Sequence, residues 1–170
     1  MSLIAKVLNR IALAAAARLL ITLAQALNSL ALAIASALMV LIFAVAGLGV
    51  IFRYVLQHSL PWADEAAAYL FIWLIFLGAA SEVWTDGHPA MHLFEDRLPP
   101  RLQRAARIVA MLTIGIWGGV LLFSGIKAVI LEAPESMSSL PGVSLQIPYA
   151  AIPVGGALIV IFALAKLRTR

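Results

Sequence analysis

"RYVLQHSLPWADEAAAYLFIWLIFLGAA", Arg53 to Ala80, joins two long oily runs through a short proline-marked interruption that holds Trp62, Asp64 and Glu65. The run before it, Leu30 to Phe52, carries no charge. The run after it, Ala66 to Val83, carries only Glu82 near its far end. A helix needs about 20 predominantly apolar residues to cross a bilayer, with some latitude on either side. Both runs meet that length, so the quoted stretch reads as a turn between two membrane spans.

Composition supports the same class. Of the 170 residues, 64% are hydrophobic and 12% charged, against about 45–50% and 25% in ordinary soluble domains. A soluble chain of this size cannot bury so much apolar surface and still clothe itself in polar groups. The formal charge of +4 does not point to nucleic acid. Its basic residues fall in short groups beside oily segments, where anionic phospholipid headgroups and control of topology account for them. Cysteine is absent, which removes disulfides, thiolate chemistry and cysteine metal sites.

Two further runs reach spanning length: Ile108 to Ile130, with Lys127 near one end, and Pro148 to Leu167. Helices are expected throughout, because backbone groups in hydrocarbon must be paired internally and the alternation of a membrane barrel is missing. Ahead of the first span, residues 1–28 carry Lys6, Arg10 and Arg18 at spacings of four and eight, roughly on one helical side. That pattern favours an amphipathic or interfacial helix over a fifth span, in which Arg18 would be costly. Lys6 and Arg10 also resemble the start of a secretory signal. The apolar run continues far past such a region, and no clear small-residue cleavage site precedes polar sequence.

The resulting organisation is an N-terminal interfacial helix over 1–28, a four-helix membrane domain over 29–167 and a basic tail over 168–170. Lys6, Arg10 and Arg18 then share one side with Arg97, Arg101, Arg104 and Arg107, and with Lys166, Arg168 and Arg170. Asp64, Glu65, Glu132 and Glu135 fall on the other, with Arg53 and Lys127 near the boundary. The positive-inside rule places both termini in the cytoplasm and the quoted turn outside.

Within that turn, Arg53 suits the carbonyl end of the first helix, Ser59 is available as a cap, Pro61 suits a first helical turn, and Asp64 and Glu65 suit an amino end. This local reading is complete in itself. The other reading makes Arg53, Trp62, Asp64 and Glu65 a polar and aromatic patch at headgroup level that meets a partner subunit or lipid. Trp73 lies eight residues beyond Glu65 on a similar face; it either faces lipid, fills the bundle, or finds a partner for its indole N–H. His88 and His92, with Glu95 and Asp96, superficially resemble a metal set, but Pro89 interrupts a helix there and the H-E-x-x-H pattern is missing. Pro99 and Pro100 mark a loop and helix start whose Arg101, Arg104 and Arg107 can meet anionic phosphates. Gly115, Gly118 and Gly119 read as a close-packing or bending region, and Pro153 with Gly155 and Gly156 as a kink in the last span. No catalytic constellation, phosphate-cradling loop or internal repeat appears, and polar groups midway across the membrane are nearly missing. An accessory membrane subunit fits these features better than an enzyme or a self-sufficient carrier.

The stretch Arg53 to Ala80 resembles the small membrane subunit, DctQ-like, of tripartite ATP-independent periplasmic (TRAP) transporters. The likeness rests on Arg53-Tyr54, Trp62 followed by Asp64-Glu65, Phe71-Ile72-Trp73 and Phe76-Leu77-Gly78-Ala79-Ala80, with His88 after the second span and "IPYAAIPVGG" in the last. It extends over Leu30 to Leu167. Trp84 stands where members often have arginine, and His92 where they often have aspartate.

The resemblance implies a noncatalytic small permease subunit in the bacterial inner membrane. Such a subunit braces a large transport subunit and helps receive a periplasmic solute-binding protein. It further implies import of an organic carboxylate driven by an ion gradient, with no cofactor in this chain and the coupling ion, commonly sodium, held in the large subunit. On the resemblance, Arg53, Trp62, Asp64, Glu65, Trp73 and His88 are the candidates for subunit or lipid contact. A self-associating structural membrane protein without a transport role is the alternative.

Overall fold

The computed structural model describes residues 2–85, 99–131, 135–139 and 142–169. They form an all-helical, multi-spanning membrane protein: α1 (Ser2–Tyr54), α2 (Pro61–Thr85), α3 (Pro100–Leu131), the short α4 (Gln146–Tyr149) and α5 (Ala151–Thr169). Among the described residues, four helical segments are long and apolar enough to cross a membrane, the last combining α4 and α5 over Gln146–Leu167. Each of the four expected runs lies within one of these segments.

The first helix is longer than its apolar run required. It continues without a break through 53 residues, about 80 Å at ~1.5 Å per residue. Residues 2–54 contain neither proline nor an adjacent glycine pair to stop it. The boundary expected at 28/29 is thus not marked by a helix end, and both Ala24 and Asn28 are buried against the bundle.

Proline sets several of the other ends. Pro61 and Pro100 are the first residues of α2 and α3, where a missing N–H costs nothing. Ser59 lies too early to cap α2. Leu60 precedes Pro61, and its carbonyl accepts the Ala63 N–H at 3.1 Å. Pro153 cannot donate to the Tyr149 carbonyl one turn back, and the chain leaves regular helix at Ala150, between α4 and α5.

α5 is the centre of the arrangement. It packs extensively against α3 and α2 and also touches α1, whereas α1 packs chiefly on α2. The α3–α5 seam requires glycine: a methyl group on Gly156 would fall 2.6 Å from the Leu122 nitrogen and 2.8 Å from the Gly118 carbonyl oxygen. Small residues permit such backbone approach between membrane helices. The Gly155-Gly156 pair is a packing surface within a continuous helix, and the break in this span falls at Ala150, one turn before Pro153.

At the end of the bundle away from the α1–α2 turn, Ala24, Ala80, Val83, Ile159, Phe162 and Ala165 form an apolar cluster. Trp84 tilts onto Phe162 with ring centroids 5.7 Å apart. The Ser81 hydroxyl donates to Asn28 Oδ1 at 2.6 Å, which pairs the two polar side chains buried among the described residues.

Candidate functional site

The opposite end of the bundle gathers the turn between α1 and α2, the chain leading from α3 into α4, and most of the residues singled out in the sequence. Arg53 is in the last turn of α1 and Asp64 in the first turn of α2. Each charge suits the helix dipole at its own position. Their side chains form a salt bridge across the turn, with 47% and 66% of their surfaces exposed. At that exposure the pair belongs to the class worth roughly 0–1 kcal/mol. Between them the backbone reverses through Gln57, which has φ 52°, and the His58 N–H reaches back to the Phe52 carbonyl at 2.9 Å.

Glu65 makes the second link. The Ser138 N–H donates to its Oε1 at 3.1 Å and the Ser139 N–H to its Oε2 at 2.8 Å. The Ser139 hydroxyl also donates to Oε2, and the Tyr69 hydroxyl donates to Oε1 at 2.9 Å. An ionised carboxylate has room for these donors on its two oxygens, and charge-assisted bonds of this kind are stronger than neutral ones. Glu65 and Tyr69 are one helical turn apart, so α2 presents both to the same short piece of chain.

That piece has its own local order. Ser136 and Ser144 form an antiparallel bridge, with the Met137 N–H on the Val143 carbonyl at 2.9 Å and the Leu145 N–H on that of Glu135 at 3.2 Å. Gly142 supplies a φ of 103°, which glycine alone adopts readily. Met137 points inward and is buried, while Glu135, Ser136, Ser138 and Gly142 are exposed.

Trp73 makes a third link, two turns further along α2. Its indole N–H donates to the Ile147 carbonyl in α4 at 3.1 Å. Beside it lies an apolar groove of about 380 Å³ whose lining includes Ile34 and Leu38 of α1, Leu70 and Trp73 of α2, and Met137 and Pro148.

The structure thus brings Arg53, Asp64, Glu65 and Trp73 together as fasteners of one end of the fold. Trp62, 36% exposed, stands on the same side of α2 as Ala66, Tyr69 and Trp73, because offsets of four, seven and eleven residues return to nearly one helical direction. His88 lies outside the described residues, as do His92, Glu95 and Asp96 of the superficial metal set. Among the described residues no group of three or more potential metal ligands occurs.

Sequence reading missed Tyr69, Ser138, Ser139 and Ile147 as partners. The four-residue offset from Glu65 to Tyr69 was a usable signal. Nothing in the sequence tied Glu65 to serines more than seventy residues away.

Residues 42–170 match the family described as tripartite ATP-independent periplasmic transporters, DctQ component. The chain is similar to the C4-dicarboxylate TRAP transporter small permease protein DctQ of Vibrio cholerae, at 27% identity over 65% of this chain and 57% of that protein. It is also similar to the sialic acid TRAP transporter small permease protein SiaQ of the same species, at 24% identity over 68% of this chain and 66% of that protein. The chain thus spans less than two thirds of the length of either relative.

Proposed function

The chain belongs to the DctQ component family of the tripartite ATP-independent periplasmic transporters, and from that membership we propose that it is the small permease subunit of an ion-gradient-driven solute importer. It acts as a brace: it holds the large transport subunit in the inner membrane and helps to receive the periplasmic solute-binding protein. The coupling ion, sodium in this reading, and the solute are held by the other chains.

One observation carries this reading. α1 and α3 keep apolar flanks turned outward, with Val40, Phe43, Ile116, Trp117 and Phe123 all more than 60% exposed, while the polar groups at the outer turn are closed within the chain. Such a molecule offers packing surface along its length and a fixed polar end, which is what a membrane scaffold requires. Trp62 is the residue of the outer group that meets a neighbouring subunit or lipid. Arg53, Asp64, Glu65 and Trp73 shape the edge on which it stands, and His88 is proposed as a further contact residue. Arg101 and Arg104, exposed on the first turns of α3, meet anionic phospholipid, with Arg107 in the same turn sequence.

Both relatives are named for carboxylate solutes, a C4-dicarboxylate and sialic acid, and the solute here is of the same organic carboxylate class. Radiolabelled succinate and sialic acid are the first probes. Copurification with a large polytopic permease, and loss of uptake when this chain is removed, are the expected results. Undiminished uptake without it, or a stable homo-oligomer that ignores the coexpressed permease, overturns the assignment. Orientation is tested with Ser59→Cys in a chain that has no native cysteine; labelling from the cytoplasm alone reverses the topology.

A further inference from the structure

The outer polar end contains one residue whose environment differs from that of a contact residue. Glu65 turns both carboxylate oxygens toward its own chain, accepting the backbone N–H groups of Ser138 and Ser139 and the hydroxyls of Ser139 and Tyr69. A side chain so occupied has little left to offer another molecule. What it does is help fix the path of residues 135–139, alongside the two backbone bonds of the Ser136–Ser144 bridge and the burial of Met137.

The two faces of the held segment differ in chemistry. Inward, Met137 is buried and lines the apolar groove beside Trp73. Outward, Glu135, Ser136 and Ser138 are exposed. A polar, hydrogen-bonding surface at the end of a membrane bundle suits a water-soluble partner, whereas a membrane-embedded partner is better served by the apolar flanks of α1 and α3. We propose that Glu65 is a positioning residue: by clasping Ser138 and Ser139 to α2 it preforms the 135–139 segment as part of the surface that receives the water-soluble partner outside the membrane. This inference rests on the small-permease reading and adds to it the role of one side chain.

The consequence is quantitative. A partner that recognises only the held conformation binds more weakly in proportion to the fraction of molecules still holding it. If removal of the carboxylate leaves the segment in place about a tenth of the time, apparent affinity falls about tenfold.

The test uses the chain assembled with its large partner in nanodiscs and the purified solute-binding protein as probe. Two readouts are taken: hydrogen exchange at the Ser138 and Ser139 amides, and affinity for the probe. In Glu65→Ala, exchange at both amides is expected to accelerate and affinity to fall about tenfold, with the large partner still bound. A rescue variant, Glu65→Cys with Ser139→Cys, is joined by a short bis-methanethiosulfonate spacer and released with dithiothreitol. Joining is expected to restore affinity and release to abolish it again, a reversal that general damage to the fold does not give.

If Glu65→Ala fails to assemble, the joined and released double variant decides alone: restored affinity supports positioning, and no restoration overturns it. Unchanged exchange, or faster exchange with unchanged affinity, also overturns it. Failure of the unaltered complex to bind the probe is a different result, because it removes the functional reading itself.

Discussion

The two ends of this bundle are closed by different chemistry. At the end that carries the α1–α2 turn, the outer one in the proposed topology, the fasteners are polar and join separate elements: Arg53 to Asp64, Glu65 to Ser138 and Ser139, and Trp73 to the Ile147 carbonyl. At the other end an apolar cluster built from alanines, Val83, Ile159 and Phe162 fills the contact, with the buried Asn28–Ser81 hydrogen bond beside it. The difference follows from what each end has to hold. Helices can meet along small and apolar faces, but an irregular connecting segment has unpaired backbone N–H groups and needs acceptors. Glu65 supplies them.

The inner end should be the more sensitive to loss of volume. Phe162 is fully buried and carries the tilted contact with Trp84. Phe162→Ala is expected to cost about 3 kcal/mol, read as a lower midpoint in reversible detergent unfolding. A cost no greater than that of the outer substitutions below would erase the distinction between the two ends.

The outer turn can be tightened instead of broken. Gln57 holds a left-handed backbone conformation, unfavourable by roughly 1–2 kcal/mol for a residue with a Cβ. Gln57→Gly is expected to recover about 1 kcal/mol, seen as a higher unfolding midpoint. A lower midpoint would show that the side chain contributes more than its backbone strain removes.

Ser81→Ala probes the polar exception at the inner end. Cross-helix hydrogen bonds in membrane proteins average about 0.6 kcal/mol, and that is the expected loss. A double-mutant cycle with Asn28→Leu should give a coupling of the same size, and zero coupling would mean that packing alone holds the two helices there. The smallest effect is expected at the exposed salt bridge. Asp64→Asn should change stability by less than about 0.5 kcal/mol and make it less dependent on salt; a larger, salt-independent loss would show the pair to be shielded from water.

These contrasts also separate what the sequence disclosed from what it did not. The four apolar runs were legible because a membrane span is a matter of length and composition, and the helix starts at Pro61 and Pro100 were legible because proline acts locally. The continuity of α1 was less so: the basic residues at 6, 10 and 18 hinted at a separate element, yet nothing between them and Tyr54 stops a helix. The packing role of Gly155 and Gly156 is not legible, because spacing along one helix does not reveal the backbone pressed against it. Trp62, Glu65 and Trp73 were legible as a group on one side of α2. The serines that occupy Glu65 were not, since the segment from α3 to α4 has no periodicity to place it.

The central position of α5 has a consequence for how the molecule is made. The chain emerges in order, so α1 and α2 can pair as soon as both are in the membrane. α3 comes next without its principal neighbour, because it packs chiefly on α5, which is synthesised after it. Until then α3 stands alone in lipid with the face around Gly118 uncovered. The arrival of α5 closes that face and the outstanding face of α2 in one step, joining an early hairpin to a waiting helix. Packing of these spans therefore waits for α5, and a ribosome halted before residue 146 is expected to leave the α1–α2 hairpin and α3 tethered but not packed together, not a smaller version of the fold.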